Sequence, residues 1–512
     1  MRFADVNFLE EEMKAMKKFL LAVFAVLLLL PVKSYAEQQV APWLTIGGDY
    51  QARLDYLQGS TPTYWSVTDA AKFAGSRGAV GAATAGQDYR NNSLLTNRFG
   101  LDIQAKALQN VSVKARLLMY KVWGSDSSNP VTSHMFFLDR AGVFDGDLGH
   151  VPSSDFVNVD YAYATWSNIA DLPVWFSIGR RPSTNGVPGN LRRNAVNIGS
   201  AGVPSFLIDY AFDGLSIGYA PYIEALPGAY AKFCLGKGFD SGFINHDALN
   251  QLHDTTMVGI QVVPYNTDAL EVQLQWNRAI DIFDAPPDYQ LPTDATGGVE
   301  MTLNPTNNLG NIDQFGATGF GKIKNVNYFV AGALSVTHPN GQQAGAFVPF
   351  IEQALVNAGD PHAAADAQAS APGLLNDAQH LQDNHTGWAF YVGGRYDIDA
   401  TRTKIGAEYN HGSRNWMAFA PAGDDIWTSK LGTRGNVYEV YVIQELHVKP
   451  ISKAGLAFFR LGYQYYDFEN TGSNSWVGPS TAMNELNNPA NAQLFAPIKN
   501  ANDIYLTFNV NF

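Results

Sequence analysis

The sequence predicts an all-β chain closed into a transmembrane antiparallel β-barrel of about sixteen strands, with fourteen to eighteen compatible with the same pattern. Three observations carry this. Segments of period-two hydropathy recur along the chain. The connections between them alternate between short and long. The longest apolar run stands at the N-terminus, and no later segment reaches eighteen consecutive apolar residues.

The N-terminus comes first. Lys17 and Lys18 precede the twelve-residue apolar run "FLLAVFAVLLLL" (19–30), then "PVKSYA" and Glu37. A basic start, a short apolar middle and small residues before a polar segment describe a secretory signal peptide over 1–36, cut after Ala36. Residues 1–15 read as an upstream extension, because Met16 opens a conventional signal. Twelve residues of helix span about 18 Å, short of the roughly 30 Å of a bilayer core, so an uncleaved anchor is the weaker alternative. Residues 37–512 are then one barrel domain. Removing 1–36 takes away five basic and four acidic residues, moving the net charge from −13 to −14. That balance argues against a nucleic-acid partner.

Cys234 is the sole cysteine, which excludes an intrachain disulfide framework, a thiolate zinc site, an iron–sulfur cluster and covalent haem attachment. Aromatic residues make up 12% against 16% charged, a mixture suited to β-structure with one wet and one apolar side. The ten histidines are scattered and no pair has convincing ligand spacing, so no metal or other cofactor is expected.

The strand segments are 44–57, 93–107, 111–123, 155–166, 173–181, 206–220, 228–235, 255–265, 269–277, 312–324, 326–337, 386–398, 401–411, 436–448, 455–469 and 502–512. The sixth, "FLIDYAFDGLSIGYA", contains Asp213-Gly214, a good hairpin turn; one strand with a glycine bulge preserves the loop alternation better. Short connections such as "LQN", "SNIADL", "NTD" and "DA" alternate with long ones such as 58–92, 124–154, 278–311 and 338–385. Soluble domains rarely carry so many long loops, whereas a membrane barrel has tight turns on one rim and long loops on the other. A secreted soluble all-β protein or propeller predicts more even loops. An even strand number puts both termini on the short-turn, periplasmic rim.

An apolar outer face sets the phase of each strand. Phe99, Leu101, Ile103 and Ala105 point outward and leave Arg98, Asp102, Gln104 and Lys106 inside. Lys114 and Arg116 oppose Val113, Ala115 and Leu117, and Glu271 opposes Leu270, Val272 and Leu274. By the same rule Arg53, Arg395, Arg402, Lys404 and Arg460 line the lumen with Asp49, Asp55, Asp397, Glu408, Glu439 and Glu445. Basic residues gather on strands twelve to fifteen and one to three, a transverse field across an aqueous interior. The third long loop, "GRRPSTNGVPGNLRRNAVNIGSAGVP" (179–204), holds Arg180, Arg181, Arg192 and Arg193 and no acid. Folded into the lumen over 182–205, it would make a cationic constriction favouring anions; the alternatives are lipopolysaccharide phosphates or plain solvation. The acidic "GDDIW" reads as a solvated rim, and 346–371 as a short helix over the pore.

In strand number, third loop and terminal aromatic, the chain resembles bacterial general porins. In those porins the third loop enters the channel, and "FLIDYAFDGLSIGYA" is similar to the strand returning from it. "NRFGLDIQAKALQNVSVKARLLMYKVWG", "GRRPSTNGVPGN", "KIGAEYNHGSRNW" and "FFRLGYQYYDFENTGSNSWVG" resemble, more closely, a family of outer-membrane porins of anaerobic sulfur- and metal-reducing proteobacteria, which implies a barrel but no substrate. The resemblance implies passive diffusion of small hydrophilic solutes, a homo-trimer, contact with outer-membrane lipids and lipopolysaccharide, and Phe508, Val510 and Phe512 as the signal read by the barrel-assembly machinery. The third loop departs from general porins in lacking an acidic sequence opposing its arginines, which leaves eyelet size and charge selectivity open.

Two other functions compete. His411 and Ser413 in "EYNHGSRN" resemble the His-x-Ser of outer-membrane lipid hydrolases, although no acidic partner is identifiable. A barrel of this kind could also sheathe a multihaem cytochrome as an electron conduit, with the haem on the partner. The favoured expectation is a porin and no enzyme.

Overall fold

The computed structural model describes residues 38–76, 81–124, 152, 155–181, 189–194, 207–208, 212–242, 252–286, 289–290, 301–420, 424–450 and 455–512. The expected signal peptide and its upstream extension lie outside them.

Sixteen antiparallel strands form one closed sheet. They are β1 (Leu44–Ser60), β2 (Asp88–Leu108), β3 (Val111–Val122), β4 (Asn158–Ser167), β5 (Val174–Arg181), β6 (Phe212–Tyr219), β7 (Tyr230–Phe239) and β8 (Thr255–Asn266). The second half comprises β9 (Glu271–Phe283), β10 (Asn308–Ile323), β11 (Val326–Pro339), β12 (Thr386–Ile398), β13 (Thr403–Gly412), β14 (Gly435–Glu445), β15 (Leu456–Phe468) and β16 (Asn500–Asn511). Each strand pairs with its sequence neighbours, and β16 pairs with β1 from Asn500↔Ser60 to Asn511↔Asp49, which leaves no free edge. A short ribbon, Gln38–Ala41, adds to the start of β1. All sixteen sequence segments correspond one to one with these strands.

The sixth strand differs in its start. β6 begins at Phe212, and Asp213 and Gly214 pair with Arg180 and Gly179 on one side and Lys237 and Gly236 on the other. Asp213-Gly214 is therefore ladder, not turn. Leu207 and Ile208, read as strand, are buried at 2% and 4% exposure in an apolar cluster with Trp416, Phe329 and Tyr391.

The outer face follows the alternation. Phe99, Ile178, Ile217, Ile260, Leu274, Val330, Ile405, Val440, Leu461 and Ile504 are exposed, while their sequence neighbours turn inward. Such an unbroken apolar belt around a barrel with every backbone group paired is what a bilayer demands. Among the described residues no helix is long and apolar enough to cross a membrane.

The long-loop rim carries helices α1 (Val67–Gly75), α2 (Gly189–Arg192), α3 (Val348–Asn357) and α4 (Ala363–Ser370). Ser66 caps α1, its hydroxyl accepting from the amide of Asp69 at 3.1 Å. On α3, Phe350, Ile351, Ala354 and Leu355 are buried, the i, i+4 spacing of one helix face. The helix expected within 346–371 is present as α3, followed by α4.

Candidate functional site

The inward-facing arginines are almost fully covered: Arg53 is 2% exposed, Arg395 2% and Arg460 1%. Two loops from the long-loop rim cover them. In the third long loop (182–211), the last carbonyls of α2 have no intrahelical partner. Leu191 O accepts from Arg395 Nη1 at 2.7 Å, and Arg192 O from Arg460 Nη1 at 2.9 Å. Asn194 bridges the wall, accepting from Lys404 Nζ at 2.6 Å and donating to Glu445 Oε1 at 2.9 Å.

The seventh long loop (413–434) brings the counter-charge. Asp424 is fully buried, and its carboxylate accepts from Tyr120 Oη at 2.7 Å and Arg460 Nη2 at 3.3 Å. Arg53 donates to the Asp424 carbonyl at 2.9 Å, to Asp55 at 2.6 Å and to Asp503 at 2.7 Å. Burial alone would raise the Asp424 carboxyl; Arg53, Arg98, Arg193 and Arg460 outweigh it and hold it well below the usual carboxylate range. Asp425 accepts from Arg192 at 2.7 Å and Gln464 at 2.9 Å. Lys430 bridges Glu408 and Glu439, which also accept from Tyr391 at 2.5 Å and Tyr505 at 2.6 Å. Asp424 to Trp427 of the "GDDIW" stretch are thus the buried centre of the network, not a solvated rim. A charged cluster in a loop is desolvated here because the barrel supplies the opposing guanidinium groups.

Part of the inner wall is dry. Phe320, Phe329 and Tyr391, each 2% exposed, pack on β10–β12 against Leu191, Leu207, Ile208 and Trp416. Sequence reasoning missed this wall and the network residues Asp424, Asp425, Lys430 and Tyr120. The available signal was an aromatic residue on the lumen phase of a strand, as Phe320 is beside Thr318 and Lys322.

The expected site residues separate into groups. Arg192, Arg53, Arg98, Arg395, Lys404, Arg460 and Glu408 belong to the network, with Arg395 on Asp397 at 2.7 Å and Lys404 on Glu445 at 2.7 Å. Arg116 lies between Asp49, Asp102 at 2.6 Å and Asp160 at 3.4 Å, and Tyr161 donates to Asp102 at 2.7 Å. Arg180 departs from the lumen: it shares the outward phase of Ile178 and pairs with Asp213 at 3.0 Å. Arg402 also departs, sitting at φ 52° in the turn between β12 and β13 and donating to Leu446 O at 3.3 Å. Glu271 accepts from Gln273 at 2.6 Å. Phe508 lies against Phe459, ring centroids 4.9 Å apart, and Val510 pairs with Tyr50. Phe512 stacks on Phe99 at 6.2 Å.

Arg193 and Arg181 are different. Arg193 Nε and Nη2, and Arg181 Nε, are buried with no hydrogen-bond partner among the described residues. Burial and the neighbouring Arg98 push Arg193 down to about 9. Among the described residues, Arg193, Arg181 and Lys114 have no carboxylate within ion-pair distance. Arg181 lines a cavity with Lys232, Cys234, Gln261, Gln275 and Asn277. The wall there is made of small residues. Thr165, Ser177, Ser216 and Cys234 pair in one inward row, and Gly179, Gly214 and Gly236 in the next. A Cβ on Gly214 would meet Leu235 O at 2.1 Å, so the ladder itself demands glycine.

His411 and Ser413 each take a hydrogen bond elsewhere. His411 Nδ1 contacts Asn436 Oδ1 at 2.9 Å with its ring against Trp388, while the Ser413 hydroxyl accepts from the Trp388 amide at 2.8 Å.

Comparison with solved structures finds barrels. An anion-selective porin from Comamonas acidovorans is similar at 10% identity, over 92% of this chain and 99% of that one, with a TM-score of 0.41. The outer membrane channel DcaP of Acinetobacter baumannii is similar at 10% identity over 94% and 100%, TM-score 0.40. OmpF of Salmonella typhi, in complex with daunomycin, is similar at 8% identity over 91% and 97%, TM-score 0.39. No curated protein matches the sequence. A family model described as "Protein of unknown function (DUF3373)" matches residues 88–512, which takes in fifteen of the sixteen strands; the chain belongs to the DUF3373 family.

Proposed function

We propose that the chain is an outer-membrane porin, a water-filled channel through which small hydrophilic solutes diffuse passively, with anions favoured. The observation that carries this is the wall of β4–β7, where rows of glycine and small hydroxyl residues face the interior of a closed barrel with an apolar belt. Small side chains leave width beside the wall; Ser177 and Ser216 themselves are buried, at 2% and 0% exposure. On the opposite side residues 189–194 of the third loop and 424–434 of the seventh pack against the wall and narrow the conduit, which suits small solutes. The loop residues 182–205 act as its constriction.

The charge balance supports the anion preference. Among the described residues Lys114, Arg181 and Arg193 are cations without a carboxylate partner, and Glu271 is a carboxylate without a cation partner. The charge of these side chains draws anions toward the interior, although Arg193 Nε and Nη2 and Arg181 Nε are themselves sealed from solvent. A filled half-lumen also leaves little room for a cytochrome, so a passive channel suits the chain better than a sheath. The separate partners of His411 and Ser413 favour transport over lipid hydrolysis. Phe508, Val510 and Phe512 serve as the assembly signal, and the barrel assembles as a homo-trimer in contact with lipopolysaccharide.

Planar-bilayer recordings in a KCl gradient test the proposal. Stepwise channels with a reversal potential on the chloride side are expected, and Arg193→Gln should move that potential toward zero. Absence of stepwise channels would overturn the channel, and a cation preference unchanged by Arg193→Gln would overturn the constriction.

A further inference from the structure

Above the barrel, where the first, sixth, seventh and eighth long loops meet, lies a cavity of about 660 Å³. That is the size of a small-molecule pocket. One side is apolar: Ala70, Ala71 and Ala74 of α1 face Ile351 and Leu355 of α3 and Phe495. Phe495 lies parallel to Phe350, ring centroids 5.6 Å apart at 14°, which fixes it as a flat platform. The other side is polar, with Asn470, Ser473, Thr481 and Asn491, and two ionised groups, Asp377 and Arg414.

The two charges are not equivalent. Asp377 Oδ1 accepts from the Gln379 amide at 2.9 Å and contacts His380 Nδ1 at 2.7 Å, so its charge is answered within its own turn. Arg414 spends Nε on Ser480 O at 2.8 Å, which orients the guanidinium. Its Nη2 is 3.9 Å from Glu485, beyond hydrogen-bond distance, and the side chain is 53% exposed. The planar fork of two Nη donors is therefore available, and that geometry matches a carboxylate.

We propose that this cavity binds small organic carboxylates with an apolar or aromatic body, the ring against Phe495 and α1–α3 and the carboxylate on Arg414. Its role, concentrating such anions at the channel mouth, rests on the porin reading; the binding does not.

Calorimetry on the full chain in lipid nanodiscs tests it, with 3-phenylpropionate and the neutral 3-phenylpropionamide as probes. Saturable binding of the carboxylate is expected, weakened at least tenfold by Arg414→Gln, with the amide affinity unchanged by that substitution. Ala70→Trp, which fills the cavity from a helix outside the barrel, should abolish binding of both. No binding by the wild type, or binding as tight in both variants, overturns the site. Conductance of the same preparations separates the two claims: channels without binding reject only the site, and binding without channels rejects only the porin reading.

Discussion

Gly48 and Phe512 exchange both backbone hydrogen bonds, at 2.8 and 2.9 Å, where the barrel closes, and a Cβ on Gly48 would stand 2.8 Å from the Phe512 ring. The same Cβ would meet the Gly100 carbonyl at 2.3 Å. The last residue of the chain is thus seated by a missing side chain on the first strand.

Gly48→Ala should destabilise the seam by about 1–3 kcal/mol, the usual cost of forcing atoms into a packed site. The urea midpoint for unfolding from lipid vesicles should fall, and the heat-resistant fast-migrating form on gels should melt at lower temperature. Gly124→Ala, where nothing lies within 4 Å, is the control, though its φ of 75° carries a smaller strain of its own.

Removing the Asp424 carboxylate takes away the carboxylate on Arg460 and one of those on Arg53 and Arg98, which keep Asp55 and Asp503, and Asp49. Asp424→Ala should cost about 3–5 kcal/mol, as breaking a buried charge network does. Because the folded carboxyl lies well below its unfolded value, its contribution is complete above the unfolded range near ~4 and is lost as pH falls through the folded value. Wild-type stability should therefore drop below pH 4, and Asp424→Asn should flatten that drop. Denaturation midpoints at pH 7 and pH 3 check both.

Arg434 donates to the carbonyls of Trp416, Thr471 and Ser475 at 3.1, 3.1 and 2.7 Å, tying the seventh loop to the eighth. Lysine has three N–H donors on one nitrogen and cannot reach the carbonyls that Arg434 addresses from Nε, Nη1 and Nη2. Arg434→Lys should lose at least one charged hydrogen bond, about 1.5–3 kcal/mol, and limited proteolysis should cut these loops faster while the barrel stays intact.

Strand number, order, closure and phase were legible in the residues because each is a local property. Period two sorts "NDIYLTFNVNF" into Ile504 at 46% exposure and Thr507 at 0%, with no knowledge of its neighbours. Connection length selects antiparallel neighbours, and a bilayer leaves only a closed ring. Arg98 and Arg53 could be assigned to the lumen on these grounds, whereas Arg402 failed because a turn interrupts the alternation. Only the tertiary structure decided which lumenal charges are paired. The partners of Arg192 are Asp425 and Glu439, far along the chain, and they meet through loops whose path no local pattern records. Charge on the walls follows from periodicity; which cations remain idle, as Arg193 does, follows from how two loops fill a cylinder.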